Sequence, residues 1–371
     1  MNLILSCPCL AVPYAYLLVR CHWRLVAGDW CFKDLSNPCD GVQKQIPLMA
    51  LWWEKIFLLI IALISLRILV KIGILTWKKL IAPTFGFGIH FRTQGKWAVV
   101  TGATDGLGKA FAKALAEEGM DIVLVSRSLP KLKDVATEIE QKYCVETRIV
   151  EADLTEGQIV YAEIGKATQD LEVGVLVNNA GASYDHPEMF TNVSEEVLAR
   201  ILQLNVAGVT GVARAILPGM LERGKGVLIN VSSTAAAIPS PYLSVYAASK
   251  AYIDKLSADL ATEAAPRGVT VQCVLPGPVA TKMSKIKRPT WMAPSPETFV
   301  KASLRTVGIE SRTTGYPPHS LIIGFINALR YTCETGAVWL VAKTMLNLRR
   351  RALYKKTKPT IVQETAEENT F

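Results

Sequence analysis

The chain has 371 residues, half of them hydrophobic, and carries a net charge of +9. That length suits one large α/β domain with additional segments. The positive excess is local, with Arg349, Arg350, Arg351, Lys355, Lys356 and Lys358 gathered in "RRRALYKKTK". No basic stripe runs through the rest of the chain, which speaks against nucleic acid as a partner. A basic cluster after an apolar stretch fits an anionic lipid surface better, at about 1 kcal/mol per basic residue near it.

Cys7, Cys9, Cys21, Cys31 and Cys39 crowd the start of the chain, while Cys144, Cys273 and Cys333 are scattered. Their spacing lacks a second close pair or a His pair, so no metal site is expected. It does not resemble a disulfide framework either, and suits a reducing compartment.

Residues 1–48 form an extension without an assigned role. Its apolar stretch "LILSCPCLAVPYAYLLV" has no basic region before it and makes a poor secretory signal. Met49 opens "MALWWEKIFLL", a natural start for a membrane-anchored protein. Residues 49–80 are expected to hold the anchor, with "IFLLIIALISLRILVKIGIL" at 56–75 about long enough to cross a bilayer. Arg67 and Lys71 oppose insertion; a central arginine costs roughly 2.5–3.5 kcal/mol, and each Leu, Ile, Phe or Val returns about 0.3–0.6. The apolar residues outweigh that cost, and both cations lie towards one end, where they can snorkel. Trp52, Trp53 and Trp77 flank the run as interfacial aromatics do. Lys and Arg are richer after the run than before it, so the chain beyond the anchor should face the cytosol.

From Lys96 the pattern becomes alternating. "WAVVTGATDGLGKAFAKALAEEG" is a strand, a Gly-rich turn and an amphipathic helix, and "DIVLVSR" is a second strand. "TRIVEADL", "VGVLVNNAG", "GVLINVSS" and "VTVQCVLPGPV" are further strands with helical stretches between. The expected fold class is α/β, a doubly wound parallel sheet, over a catalytic domain at 96–318. The alternation fades after about residue 285. Residues 319–371 are apolar in two short halves, split by Arg330 and Glu334, and end in the basic tail. Neither half reaches spanning length. Three readings stay open: an amphipathic or re-entrant membrane segment, a lid, or a plain core helix.

In "TGATDGLG", Gly102, Gly106 and Gly108 stand between strand and helix with Thr104, Asp105 and Leu107. Backbone N–H groups there can approach a pyrophosphate, and the helix N-terminus favours an anion. The second strand ends at Ser126-Arg127, where an NAD site carries an acid. Arg127, with Lys131, suits a 2′-phosphate instead, which points to NADPH.

Tyr246 and Lys250 lie four residues apart in "SVYAASK"; Ser233 ends "GVLINVSS", Asn205 lies in "LQLNV", and Asn179, Ala180 and Gly181 close "VNNAG". In this order and spacing, the set resembles the short-chain dehydrogenase/reductase family over roughly residues 96–285. The resemblance implies a Rossmann-type sheet and a role for each residue. Tyr246 is then the acid, Lys250 tunes it and holds the nicotinamide ribose, Ser233 binds the substrate oxygen, and Asn205 positions a water. Asp153 is implied on the adenine side. Pro276, Val279 and Thr281 of "PGPVAT" are implied at the nicotinamide amide.

The anchor, "SRTTGYPPHSL" and the basic end narrow the match. From about Met49 to Lys358 the chain resembles the very-long-chain 3-oxoacyl-CoA reductases, which overlap with the 17-beta-hydroxysteroid dehydrogenases of types 3 and 12. These are endoplasmic-reticulum membrane enzymes that use NADPH, so the resemblance implies an acyl-CoA or steroid substrate. It also implies membrane lipid, other fatty-acid elongation enzymes and a second copy of the chain as partners. A retinal or other lipid-aldehyde reductase, or a catalytically silent scaffold, are competing readings. The intact Asn205, Ser233, Tyr246 and Lys250 weigh against a scaffold.

Overall fold

The computed structural model describes residues 40–368, which divide into one unit ending at Lys71 and another beginning at Ile72. The five early cysteines and the apolar stretch at 3–19 lie outside the described residues.

The first described element, helix α1, runs Asp40–Thr76. Within it Lys55–Thr76 has a mean hydropathy of 2.6 over a spanning-length window, none of it buried. A row of exposed Ile, Leu and Phe side chains of that length is costly in water and matches a bilayer core. A second helical stretch, Glu195–Arg223, is also long and apolar at 1.4, but 39% of its window is buried inside the protein. It belongs to a protein core.

The unit beginning at Ile72 is built on a seven-stranded, all-parallel sheet in the order β3-β2-β1-β4-β5-β6-β7. Its elements are β1 (Trp97–Thr101), α2 (Gly106–Glu117), β2 (Asp121–Ser126), α3 (Leu129–Tyr143) and β3 (Thr147–Glu151). Then come α4 (Gln158–Thr168), β4 (Val173–Asn178), α5 (Glu195–Leu202) and α6 (Val209–Arg223). The chain continues with β5 (Gly226–Val231), α7 (Ser244–Ala264), β6 (Val269–Val274), α8 (Pro296–Leu304) and β7 (Arg312–Thr313). Helices α9 (Pro317–Thr332) and α10 (Glu334–Glu368) end the described chain.

The central strands are continuous runs of Val, Ile and Leu because both faces of the sheet are covered. Alternate residues feed opposite cores. Ala98 and Val100 pack with Phe111, Leu115 and Phe299, while Trp97 and Val99 pack with Ile164, Ile216 and Met220. The strand order reverses between β1 and β4, so a crevice opens at their carboxyl ends. In open α/β sheets that is where ligands bind.

Two features were not legible in the sequence. β7 is only two residues long and pairs Arg312 with Cys273 and Thr313 with Val274, too short for any periodicity to announce it. The carboxy-terminal halves are two helices, and the expected boundary at 318/319 falls inside the first turn of α9. His319, Ile323, Ile326, Ala337 and Val341 are buried, while Leu321, Phe325, Tyr331 and Trp339 are exposed. One face of this region is therefore core, and the other is apolar and uncovered.

Candidate active site

The expected site residues follow the carboxyl ends of β1 to β6, except Asn205, which lies in a helical turn, and Tyr246 and Lys250, which lie on α7. The Gly-rich turn follows β1. A Cβ on Gly108 would stand 2.1 Å from the Gly102 carbonyl oxygen, so only glycine lets α2 start this close to the strand. Gly106 has a positive φ of 55°, and a Cβ there would point at Thr281, 3.5 Å from its methyl carbon. The turn and the 276–281 loop thus face each other across one opening. Bare backbone at the start of α2 fits a pyrophosphate between them. Leu107 turns inward onto the core.

At the end of β2, the Thr104 and Ser126 hydroxyls lie 3.1 Å apart, joining the turn to that strand. Arg127 follows, two-thirds exposed, with one guanidinium nitrogen 3.6 Å from Asp153. Burial alone would raise the Asp153 pKa. The Thr155 N–H and hydroxyl, both on Asp153 Oδ1, and the Arg127 charge more than offset it and hold it low. Lys131 does not join Arg127. Its ammonium pairs with Asp105 at 3.3 Å, and Lys282 reaches the same carboxylate at 2.6 Å. Asp105 therefore links α3 and the loop after β6 to the Gly-rich turn, and Arg127 is left as the exposed cation at the end of β2.

The "NNAG" segment is tied to β1 by Thr101. Its hydroxyl accepts the N–H groups of Asn179 and Ala180 at 3.0 and 3.1 Å, and the Asn179 side chain donates to the Thr101 carbonyl at 3.0 Å. Gly181 follows at a tight point. A Cβ there would come within 3.1 Å of Asn205 Oδ1 and 3.3 Å of the Lys250 ammonium.

Asn205 is fully buried in a π-helical turn, Gln203–Gly208, between α5 and α6. Such a turn is frequent at functional sites because it redirects side chains. Asn205 accepts from the Ala182 N–H at 2.8 Å and donates to the Ala182 carbonyl and the Ser249 hydroxyl, both at 2.9 Å. Ser249 in turn donates to the Tyr246 carbonyl at 2.8 Å. The carboxamide is thus a brace between the loop after β4 and helix α7.

Tyr246 is half-buried on the first turns of α7. Burial raises its pKa above the usual tyrosine value, and the Ser233 side chain opposes that only in part. Lys250, one turn on, is 4% exposed and donates to the Val231 carbonyl at 2.9 Å. Burial pushes its pKa down to about 8. In the chain by itself, then, Ser233 is the group that eases the tyrosine, and Lys250 bears a desolvation load of its own. Ser233 caps a short turn by accepting the Ala235 N–H, and Thr234 donates its N–H to the Pro276 carbonyl at 2.9 Å. Val279 is buried, and the Thr281 hydroxyl lies 3.4 Å from the Val279 carbonyl oxygen. The Ser233 turn and the "PGPVAT" loop are therefore one surface.

Sequence reasoning missed the layer beneath. Asn178 and Asn230 end two apolar strands side by side, and Asn178 donates to Asn230 at 3.1 Å. Asn230 donates to Ser257 of α7 at 2.9 Å, and all three are buried. This chain of bonds locks the tyrosine helix to the sheet. An amide at the end of two otherwise apolar runs was the available signal.

The comparisons with known proteins agree with this geometry. The profile of the short chain dehydrogenase family matches residues 96–291. A very-long-chain 3-oxoacyl-CoA reductase of Anas platyrhynchos is 46% identical over 266 residues, covering 71% of this chain and 84% of that protein. The one of Homo sapiens is 44% identical over 269 residues with the same coverage. Among solved structures, a 7beta-hydroxysteroid dehydrogenase superposes with a TM-score of 0.62 at 25% identity, covering 68% of this chain and 100% of that one. A short-chain dehydrogenase from Sphingobium yanoikuyae in complex with NADPH gives 0.54 at 27%, covering 63% and 95%. With the parallel sheet, the bare Gly-rich turn and the gathered Ser, Tyr and Lys already in place, the chain belongs to the short chain dehydrogenase family and is an oxidoreductase that works with a nicotinamide cofactor.

Proposed function

We propose that the protein reduces a 3-oxoacyl-CoA to the 3-hydroxyacyl-CoA with NADPH, as a step in very-long-chain fatty-acid elongation. The observation that carries this is the 44–46% identity to reductases of that name across 84% of their length. NADPH rather than NADH is supported by Arg127, the exposed cation at the end of β2 where an acid would bind ribose hydroxyls.

The nicotinamide, when bound, supplies the hydride. Tyr246 donates its proton to the substrate oxygen, and its raised pKa keeps that proton in place at neutral pH. Ser233 donates a hydrogen bond to the same oxygen and stabilises charge as it develops. Lys250 holds the ribose and favours the phenolate that Tyr246 leaves behind. Asn205 stands beside Lys250 across Gly181 and keeps a water path for returning the proton. Gly102, Thr104, Gly106 and Gly108 receive the pyrophosphate, Arg127 and Asp153 the adenosine end, and Val279 and Thr281 the carboxamide.

The window 55–76 is proposed to anchor the protein in the endoplasmic-reticulum membrane with the catalytic unit in the cytosol. A very long acyl chain partitions into the bilayer while its CoA head stays at the surface. A site tethered to the membrane takes such a substrate without extracting the whole chain.

One assay tests substrate and side together. Purified protein is expected to reduce a 3-oxoacyl-CoA with kcat/KM at least roughly tenfold above a 17-ketosteroid. The 17-ketosteroid is the specific competitor because the sequence also resembles the 17-beta-hydroxysteroid dehydrogenases. In sealed microsomes NADPH does not cross the membrane, so full activity before detergent is expected. The ketosteroid being preferred would overturn the substrate, and activity latent until detergent is added would overturn the orientation.

Cofactor choice is tested separately. Arg127→Asp should narrow or reverse the preference for NADPH over NADH, since it replaces a phosphate partner with a charge that repels phosphate and accepts from ribose hydroxyls. Equal kcat/KM for the two cofactors in the unmutated enzyme would remove the basis of this assignment.

A further inference from the structure

Helix α9 enters the catalytic unit through His319, whose side chain is fully buried. Its Nδ1 accepts the Gly277 N–H at 3.1 Å. Its Nε2 lies 3.1 Å from the Pro278 carbonyl oxygen and 3.2 Å from that of Met292. One form of the ring satisfies all three contacts: the neutral imidazole with its proton on Nε2, shared between two carbonyls. Burial lowers the pKa of His319 and favours that neutral form.

The ring is itself held on its other sides. The Phe299 ring of α8 lies 5.7 Å away between centroids, and Tyr316 packs edge-on at 5.3 Å. Gly277 leaves room for the contact, since a Cβ there would stand 2.8 Å from the imidazole. The bonded groups at 277, 278 and 292 are the two ends of one loop. Within it lie Val279 and Thr281. A backbone bond from the Ala280 N–H to the Pro294 carbonyl at 2.9 Å closes the same loop from inside. His319 is thus the side chain through which the carboxy-terminal helices grip the loop after β6.

We propose that His319 is a positioning residue for the cofactor: it pins both ends of loop 276–294 so that Val279 and Thr281 stand where the nicotinamide carboxamide binds, which makes the carboxy-terminal segment part of the cofactor site. The inference rests on the reading that this loop meets the nicotinamide. An imidazole suits the task because it presents an acceptor and a donor on fixed edges of one rigid, uncharged ring. A leucine of similar bulk fills the space but leaves the Gly277 N–H without its acceptor and the loop ends untied.

The test uses the full chain purified in detergent, with NADPH affinity read from the fluorescence of the bound nucleotide. His319→Leu is expected to weaken NADPH binding by about tenfold or more, the scale on which small misplacements act. Its KM for NADPH should rise by more than its kcat falls. His319→Gln keeps an acceptor and a donor and should recover most of the loss. Gly277→Ala removes no bonding group but drives a methyl into the ring, and should weaken NADPH in the same direction; it carries the test if His319→Leu does not fold. Wild-type affinity in both His319→Leu and Gly277→Ala overturns the proposal, as does His319→Gln failing as badly as His319→Leu. A lower melting temperature with unchanged affinity overturns it too, because the role would then be structural only. Absence of NADPH binding by the unmutated protein would instead sink the cofactor reading on which the proposal stands.

Discussion

Replacing Tyr246 with Phe is expected to lower turnover by a factor on the order of 10² or more, the usual cost of losing a positioned acid. The substitution removes one hydroxyl and nothing that supports the fold. The Ser249 bond to this residue goes to its backbone carbonyl, and the brace from Asn205 runs through Ser249. Helix α7 stays pinned to the sheet by Asn230 and Ser257. Burial raises the pKa of Tyr246, which makes it a weaker acid by itself, so proton donation to the substrate depends on groups that stabilise the phenolate left behind. Steady-state turnover measured beside NADPH affinity separates the two effects. Affinity should survive and turnover should not. A Phe variant that turns over at the wild-type rate would remove Tyr246 from the chemistry.

The second large effect is at Lys250, and it appears in stability as well as activity. Lys250→Met should abolish turnover, since it deletes the charge proposed to hold the ribose and favour the phenolate. It should also change how the cofactor-free protein responds to pH. The ammonium is buried, and its pKa falls from 10.5 to about 8. A shift of that size corresponds to on the order of 3 kcal/mol of strain on the fold while the charge is kept. The sign follows from linkage. Below about pH 8 the lysine is charged in both folded and unfolded chains, so the fold bears the whole desolvation cost. As pH rises from about 8 towards 10.5, the folded chain releases its proton first and the cost fades. Relative to Lys250→Met, the wild type should therefore gain stability across that window. The difference between the two proteins is the quantity to measure, because groups that do not interact with Lys250 are common to both and cancel; Cys273, which interacts with the Lys250 charge, contributes to the difference. Denaturation of each at pH 7, 8.5 and 10 would show the gap moving in favour of the wild type. A gap that stays constant would mean that Lys250 does not titrate there.

The burial that produces this effect has a structural origin. Lys250 lies beneath the "NNAG" loop, next to Gly181, with the Val231 carbonyl as its hydrogen-bond acceptor. A lysine in that position is poorly solvated in the cofactor-free chain. In the proposed mechanism that charge serves the ribose and the developing phenolate, and a buried, perturbed cation of this kind is common at functional sites.

What the sequence determined by itself is the set of locally encoded features. Runs such as "WAVVT" and "DIVLVS" read as buried parallel strands, because short β-branched apolar stretches bounded by Gly and polar residues suit strands covered on both faces. The turn "TGATDGLG" declares itself because glycine spacing reflects a backbone constraint: a side chain on Gly108 would collide with Gly102. The window 55–76 is legible because composition and length alone decide whether a helix suits lipid. Tyr246 and Lys250 lie one helical turn apart, so their partnership is written in the chain. What only tertiary structure decided are contacts between residues far apart in sequence. Nothing local foretells that Lys131 turns to Asp105, which Lys282 also reaches from the loop after β6, while Arg127 faces Asp153 instead. The bond from Asn178 to Asn230 and on to Ser257 exists only once β4, β5 and α7 are packed. The two residues of β7 become a strand because β6 offers them an edge, not because of any pattern of their own. His319 is a plain histidine in "YPPHSL" until folding brings Gly277, Pro278 and Met292 around its ring. Propensity and periodicity act over one or two turns of chain, whereas burial and hydrogen-bond pairing are settled by whichever distant groups share the same small volume.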